Sequence, residues 1–207
     1  MVTVAFYYDF GSPNAYLVHR VLPQLEARTK VQITYVPILL GGLFKLTGNQ
    51  APGVAFAHIK GKLAYEQLEF ERFRERHAIA FAMNPYFPVN TLNLMRGAIA
   101  SEQLGCSANY IESMFSAMWE TPRNMADPDI FTATLNAAHL PAESILALIS
   151  TPEVKAQLQR NTEHAAARGM FGSPSILVGD ELFYGKERLG QIEEEIRRQS
   201  QAAGACR

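Results

Sequence analysis

Cysteine is nearly absent from this chain. Only Cys106 and Cys206 occur in 207 residues, far apart and with no Cys-x-x-Cys pair. That spacing excludes a disulfide framework and a Cys/His zinc site, so no metal is expected. An excess of charge of either sign is lacking too. With 19 Lys and Arg against 20 Asp and Glu, composition offers no attraction to nucleic acid or to an anionic membrane. No stretch approaches the roughly 20 apolar residues that cross a bilayer. The chain starts as a strand rather than with the basic, apolar and small-residue regions of a secretory signal. Internal repeats and low-complexity tracts are missing as well. These absences together point to a cytoplasmic protein in a reducing compartment. Its length suits one domain or a domain with an insertion.

What is present is concentrated at two places, the first of which is Phe6-Tyr7-Tyr8-Asp9-Phe10-Gly11-Ser12-Pro13. It reads as a buried strand running into a helix, with Ser12 as N-cap and Pro13 at the first helical position, where a missing N–H costs nothing. Tyr16, Leu17, Val21, Leu22 and Leu25 then recur on one helical face. A hydroxyl is thereby presented at a helix N-terminus, where free N–H groups and the macrodipole favour an anion. A Ser-Pro in this position is ordinarily only a cap. In thioredoxin-like folds the same corner carries reactive sulfur, and here it has none, so a sulfur acting at Ser12 must come from elsewhere.

A strand at Val31 to Pro37 completes a βαβ unit, whose crossover is right-handed and whose strands are parallel. Amphipathic helices are expected from about Ala64 to Arg76, and at Thr91–Leu104, Asn109–Trp119, Asp129–His139, Ala142–Ser150 and Pro152–Arg168, separated by Pro or Gly punctuation. Ser175 to Val178 and Glu181 to Tyr184 flank Gly179-Asp180 as a hairpin. A last helix is expected from about Arg188 to Ala202, with Gln199 to Arg207 as a frayed tail. The order βαβ, helical block, ββα predicts an α/β thioredoxin-like fold. Residues 1–40 and 165–207 form its two halves, and an all-helical insertion occupies 41–164.

The second place is Phe171-Gly172-Ser173-Pro174-Ser175, just before the hairpin. Thioredoxin-like proteins carry a cis proline here. A cis Ser173–Pro174 bond is expected to free the backbone N–H and C=O of Ser173 to bind an extended peptide, facing Ser12.

Tyr8 to Leu17, Phe171 to Ser175 and Tyr184-Gly185-Lys186-Glu187-Arg188-Leu189 resemble the signatures of 2-hydroxychromene-2-carboxylate isomerase and the kappa-class glutathione transferases, as do Phe44 to Asn49 and Asn84 to Leu92. The resemblance covers almost the whole chain and specifies the family better than the substrate. It implies glutathione as cofactor. Ser12 would hydrogen-bond the glutathione sulfur and favour the thiolate, since a thiol near pKa 8.5 is mostly protonated at neutral pH. Ser173, before Pro174, would pair with the cysteinyl backbone. Gly185 to Arg188 would hold the γ-glutamyl end, with Lys186 near its carboxylate and Glu187 near its ammonium. Asn49 and Lys62 would reach the glycyl end or the substrate, although a lysine on an amphipathic helix is ordinarily a solvated charge. Lys45, Asn49, Asn84 and Pro85 resemble positions lining the substrate pocket. Tyr86 and Phe87 suit an apolar wall, while Phe87 and Leu92 fit a plain core role equally well.

Departures from the family pattern are Glu187 where Asp is usual, Lys186 where a small or amide residue is usual, Gly11 for a larger apolar residue, and Ser173 for Val or Leu. The implied activity is a glutathione-dependent cis–trans isomerisation of a small aromatic or conjugated carbonyl compound, in a homodimer. A kappa-like transferase or peroxidase shares the same site, and a non-catalytic thioredoxin-fold binding module is the third reading, kept open by Lys186. A disulfide oxidoreductase is disfavoured by the missing cysteine.

Overall fold

The computed structural model describes residues 2–205. Its first half is β1 (Val4–Tyr8), α1 (Pro13–Thr29) and β2 (Ile33–Pro37). Eight helices follow: α2 (Leu40–Thr47), α3 (Pro52–Ala55), α4 (Lys62–Arg76), α5 (Leu92–Gln103), α6 (Ser107–Trp119), α7 (Pro128–Ala137), α8 (Ala142–Leu148) and α9 (Pro152–Ala167). The chain closes with β3 (Ser175–Val178), β4 (Glu181–Tyr184), a 3-10 turn at Lys186–Arg188 and α10 (Leu189–Ala205). The strands lie in the order β2-β1-β3-β4. β1 pairs parallel with β2 and antiparallel with β3, with Phe6 opposite both Tyr35 and Ile176. β3 and β4 form the hairpin, closed between Val178 and Glu181 by Gly179, whose φ of 58 is left-handed. This is the thioredoxin-like architecture with helices between its halves.

Local chemistry explains the helix starts. Ser12, Asp127 and Thr151 cap α1, α7 and α9 with their side-chain oxygens, and each is followed by Pro at the first helical position. α1 ends at Lys30, which is left-handed and donates its N–H to the Glu26 carbonyl.

Alternation along β1 separates two apolar layers. Val4, Phe6 and Tyr8 face the large core, which unites the sheet with α1, α5, α6 and α10. Tyr7 faces a smaller cluster containing Ile38, Leu43 of α2, Ala165 of α9 and Met170. Buried side chains of the helical segment and the sheet thus share one core, each large one stabilising by about 1.5–3 kcal/mol relative to exposure. The sheet is held between helices on both faces.

Three elements differ from expectation. α2 and α3 are helices where none is expected from the sequence reading. α2 carries Gly41 and Gly42, poor helix formers, and is fixed from outside its own sequence, because the Leu40 N–H donates to Asp9 Oδ2 at 2.8 Å. α10 continues to Ala205, so the tail expected to fray from Gln199 is helical as far as it is described. Gln199 Nε2 anchors it by donating to the Val178 carbonyl at 3.0 Å. Cys206 and the end of that tail lie outside the described residues.

Candidate functional site at the start of helix α1

β1 delivers the chain to a corner where Asp9 is the organising residue. Its carboxylate, 1% exposed, accepts the Gly11 N–H through Oδ1 and the Leu40 N–H through Oδ2, both at 2.8 Å. Burial pushes the Asp9 carboxyl pKa up, while the N–H groups of Leu40 and Gly11 and the Thr91 hydroxyl oppose that shift. Trp119, fully buried, clamps the same corner from α6 by donating Nε1–H to the Phe10 carbonyl at 2.8 Å. The loop carrying Ser12 is therefore tied to α2, to Thr91 at the cap of α5, and to α6.

Ser12 is 5% exposed. Its Oγ accepts the Ala15 N–H at 3.1 Å, and its hydroxyl donates to the Ser173 carbonyl at 2.9 Å. The two halves of the chain, 161 residues apart in sequence, meet through that hydrogen bond. The Ser173–Pro174 peptide is cis. Among the first-turn donors of α1, Pro13 has no N–H, and Ala15 and Tyr16 give theirs to Ser12 Oγ and to the Ser12 carbonyl. The Asn14 N–H has no acceptor among the described residues. Two buried polar atoms at this place have no hydrogen-bond partner among the described residues, Asn14 Oδ1 and Ser173 Oγ.

The flank of the site is shaped by close packing. A Cβ on Gly172 would stand 2.7 Å from the Tyr184 ring, so glycine is required for that ring to lie against the loop. The Tyr184 ring in turn packs on Phe171 with centroids 4.6 Å apart, and both are partly exposed. Asn49 Nδ2 donates to the Phe171 carbonyl at 2.7 Å, joining the end of α2 to this loop.

The arrangement can bind an anion at a helix N-terminus with hydroxyl and N–H donors. Among the described residues no side chain is placed to activate Ser12 as a nucleophile, because both hydrogen bonds of its Oγ run to backbone. His19 is engaged elsewhere, with Tyr35 and Glu112. Cys106 sits at the start of α6, half-buried, with burial raising its thiol pKa.

Residues 3–197 match the model of the DsbA-like thioredoxin domain. The chain belongs to that family. Among curated relatives, 2-hydroxychromene-2-carboxylate isomerase of Sphingobium xenophagum is 24% identical over 191 residues, 92% of this chain and 96% of the relative. Glutathione S-transferase kappa 1 of Homo sapiens is 25% identical over 205 residues, 90% of this chain and 87% of the relative. A solved structure of 2-hydroxychromene-2-carboxylate isomerase superposes with a TM-score of 0.83 at 24% identity, covering 99% of each chain. The DsbA-like fold is thus present with Ser12 and no cysteine at the start of α1.

On this DsbA-like frame the expected site residues fall into distinct groups. Ser12, Ser173 and Pro174 come together, and Gly185 joins them through its N–H to the Pro174 carbonyl at 3.1 Å. Lys186 is buried. Its ammonium pairs with the half-exposed Glu187 carboxylate and lies 5.9 Å from the centre of the Phe73 ring. It therefore packs toward α4. Both residues line a cleft of about 390 Å³ shared with Arg28, Phe73, Arg76 and His77, while Arg188 is exposed. Lys62 pairs with Glu66 one helical turn on and lies 5.3 Å from the Phe56 ring, so no hydrogen bond brings it to Ser12. Lys45 is exposed on α2 and faces a separate cleft of about 580 Å³ with Leu46, Arg96 and Lys155. Pro85 is exposed in a turn closed by the Phe87 N–H to the Asn84 carbonyl.

Asn84 departs from the expected substrate contact. It is 2% exposed, its amide donates to the Met118 and Arg123 carbonyls, and its Oδ1 accepts the Tyr86 N–H. With both amide hydrogens committed to backbone, it clamps the turn against the end of α6. Sequence reasoning missed Asp9, Asn14 and Trp119 as site-shaping residues. Only Asp9 and Asn14 carried a signal, their place beside Ser12.

Proposed function

We propose that this chain is a glutathione-dependent isomerase of the 2-hydroxychromene-2-carboxylate type, working in the cytoplasm as a homodimer. The observation that carries the reading is the buried Ser12 hydroxyl at the start of a 17-residue helix, 2.9 Å from the Ser173 carbonyl, at a corner with no cysteine. Such a corner stabilises a thiolate it does not itself supply. The isomerase and kappa-transferase names of the relatives fit a sulfur brought by glutathione. In this reading Ser12 and the Asn14 N–H hold the sulfur, Ser173 pairs with the cysteinyl backbone, and Gly185 to Arg188 receive the γ-glutamyl end. Asn49 stands at the glycyl end, beside Phe171. Lys62 is engaged with Glu66, Lys45 faces the separate cleft with Arg96 and Lys155, and Pro85 is exposed in its turn, so none of the three is assigned a contact in this reading. Asn84 is left out of the substrate pocket.

Bound glutathione would supply a thiolate able to add reversibly to a conjugated carbonyl compound, so that the former double bond could rotate before elimination. Ser12 and the Asn14 N–H would hold that sulfur, and Ser173 would fix the cysteinyl backbone beside it. Glutathione is regenerated, so none is consumed. The partly exposed Phe171 and Tyr184 suit the flat apolar part of such a substrate. Exposed apolar side chains on α3 and α4, among them Val54, Leu63 and Leu68, suit the homodimer contact. The test is isomerisation of 2-hydroxychromene-2-carboxylate followed by absorbance. Turnover that requires glutathione and leaves its concentration unchanged supports the reading, and glutathione-independent turnover or none overturns it. A kappa-like transferase is the second reading, favoured by the similarity to the human enzyme, and consumption of glutathione in a stable conjugate would select it.

A further inference from the structure

We infer that the side-chain hydroxyl of Ser173 is a second donor to the bound sulfur, so that two serines rather than one stabilise the thiolate. This rests on the glutathione reading above. Hydrogen bonds are divided unequally between the two serines at this corner. Ser12 has a single O–H to give, and it is already donated to the Ser173 carbonyl. Its lone pairs receive the Ala15 N–H. Ser173 differs in kind: it is 8% exposed, and its Oγ has no hydrogen-bond partner among the described residues. Buried hydroxyls are nearly always paired, and one left unpaired beside a candidate site calls for a ligand.

Its position suits the sulfur. The Ser173 carbonyl lies 2.9 Å from Ser12 Oγ. Covalent geometry keeps a serine Oγ within about 4 Å of its own carbonyl oxygen, so the two hydroxyl oxygens are at most about 7 Å apart. One large anion can lie between donors at that separation. The Asn14 N–H, unclaimed in the first turn of α1, adds a backbone donor and the positive end of the helix. Neighbouring hydroxyls do not compete for the role, since Ser175 Oγ donates to the Gly172 carbonyl at 2.9 Å. When the cysteinyl N–H of glutathione takes the Ser173 carbonyl, the Ser12 hydroxyl is released to the sulfur, and both serines then point their protons at it. A valine or leucine at 173 would supply only the backbone part of this arrangement.

The experiment uses the full chain with glutathione and follows thiolate absorbance against pH in wild type, Ser173→Ala, Ser173→Val and Ser173→Thr. Loss of the hydroxyl in the alanine and valine variants is expected to raise the apparent pKa of the bound thiol by about 0.5 to 1 unit. That is a three- to tenfold loss of thiolate below the midpoint. Threonine, nearly the shape of valine but with the hydroxyl, is expected to titrate within a few tenths of a unit of wild type. A merely structural role would lower glutathione affinity at every pH without moving the midpoint, and that result overturns the inference. If wild type forms the thiolate and all variants titrate alike, the Ser173 inference fails while the glutathione reading stands. If wild type binds no glutathione, both fall.

Discussion

Replacing Ser12 by alanine removes two hydrogen bonds from one buried atom and leaves almost no cavity, so its effect can be worked out in advance. The first loss is the N-cap to the Ala15 N–H, typically about 1 kcal/mol. The second is the hydroxyl donated to the Ser173 carbonyl, a buried neutral hydrogen bond with a net contribution of about 0.5–1.5 kcal/mol. Together they predict a destabilisation of about 2 kcal/mol. That is modest against the roughly 5–15 kcal/mol of an ordinary domain, so the variant still folds. For a chain of this size the Tm should fall by about 4–8 °C. Urea unfolding at fixed pH measures it, as a lower midpoint with an unchanged m-value. Ser12→Thr keeps the cap and the donor, and should recover most of the loss. An alanine variant within about 0.5 kcal/mol of wild type, or a threonine variant equally damaged, would refute the idea that this hydroxyl joins the two halves.

Asp9 gives a pH-dependent prediction. Burial raises its carboxyl pKa in the folded state, so between the unfolded value near 3.9 and the higher folded value the native state holds the extra proton. Its contribution to stability therefore falls as pH rises through that window. Asp9→Asn should show a flatter pH dependence there, together with a loss of about 1–3 kcal/mol, because its NH2 meets the Leu40 N–H; parallel pH curves would count against this. Gly97→Ala should destabilise by about 1–3 kcal/mol in thermal unfolding, since a Cβ there would stand 2.1 Å from the Tyr110 hydroxyl oxygen; a neutral result would mean that the ring moves freely. Glu187→Gln deprives the buried Lys186 ammonium of its carboxylate. A loss of about 1–2 kcal/mol and weaker glutathione binding by calorimetry are expected, and wild-type values of both would rule out the pairing.

Most of the frame was legible because its signals are local. The Ser-Pro start of α1, the Gly179-Asp180 hairpin and the amphipathic patterns of α4 to α9 each carry their own capping or periodicity. α2 was less legible, because its paired glycines weigh against a helix that the Asp9 carboxylate and packing on α9 support. The meeting of Ser12 with Ser173 could be read from fold analogy, yet the division of protons between them could not. That depends on which carbonyl lies within 2.9 Å of a hydroxyl. Asn84 misled for a similar reason. An amide between apolar residues looks the same in sequence whether it faces a substrate or spans two backbone carbonyls, and here it spans Met118 and Arg123. Lys186 looked like an obstacle in the cleft, and its burial beside Glu187 and Phe73 became visible only in three dimensions.

The central claim is that this corner binds glutathione and holds its sulfur as a thiolate. Calorimetric titration of the full chain with glutathione, read together with ultraviolet thiolate absorbance of the complex, tests it most directly. The account predicts saturable binding and a thiolate signal near neutral pH that weakens in Ser12→Ala. Absence of binding at millimolar glutathione, or binding with the thiol fully protonated at neutral pH, would contradict it.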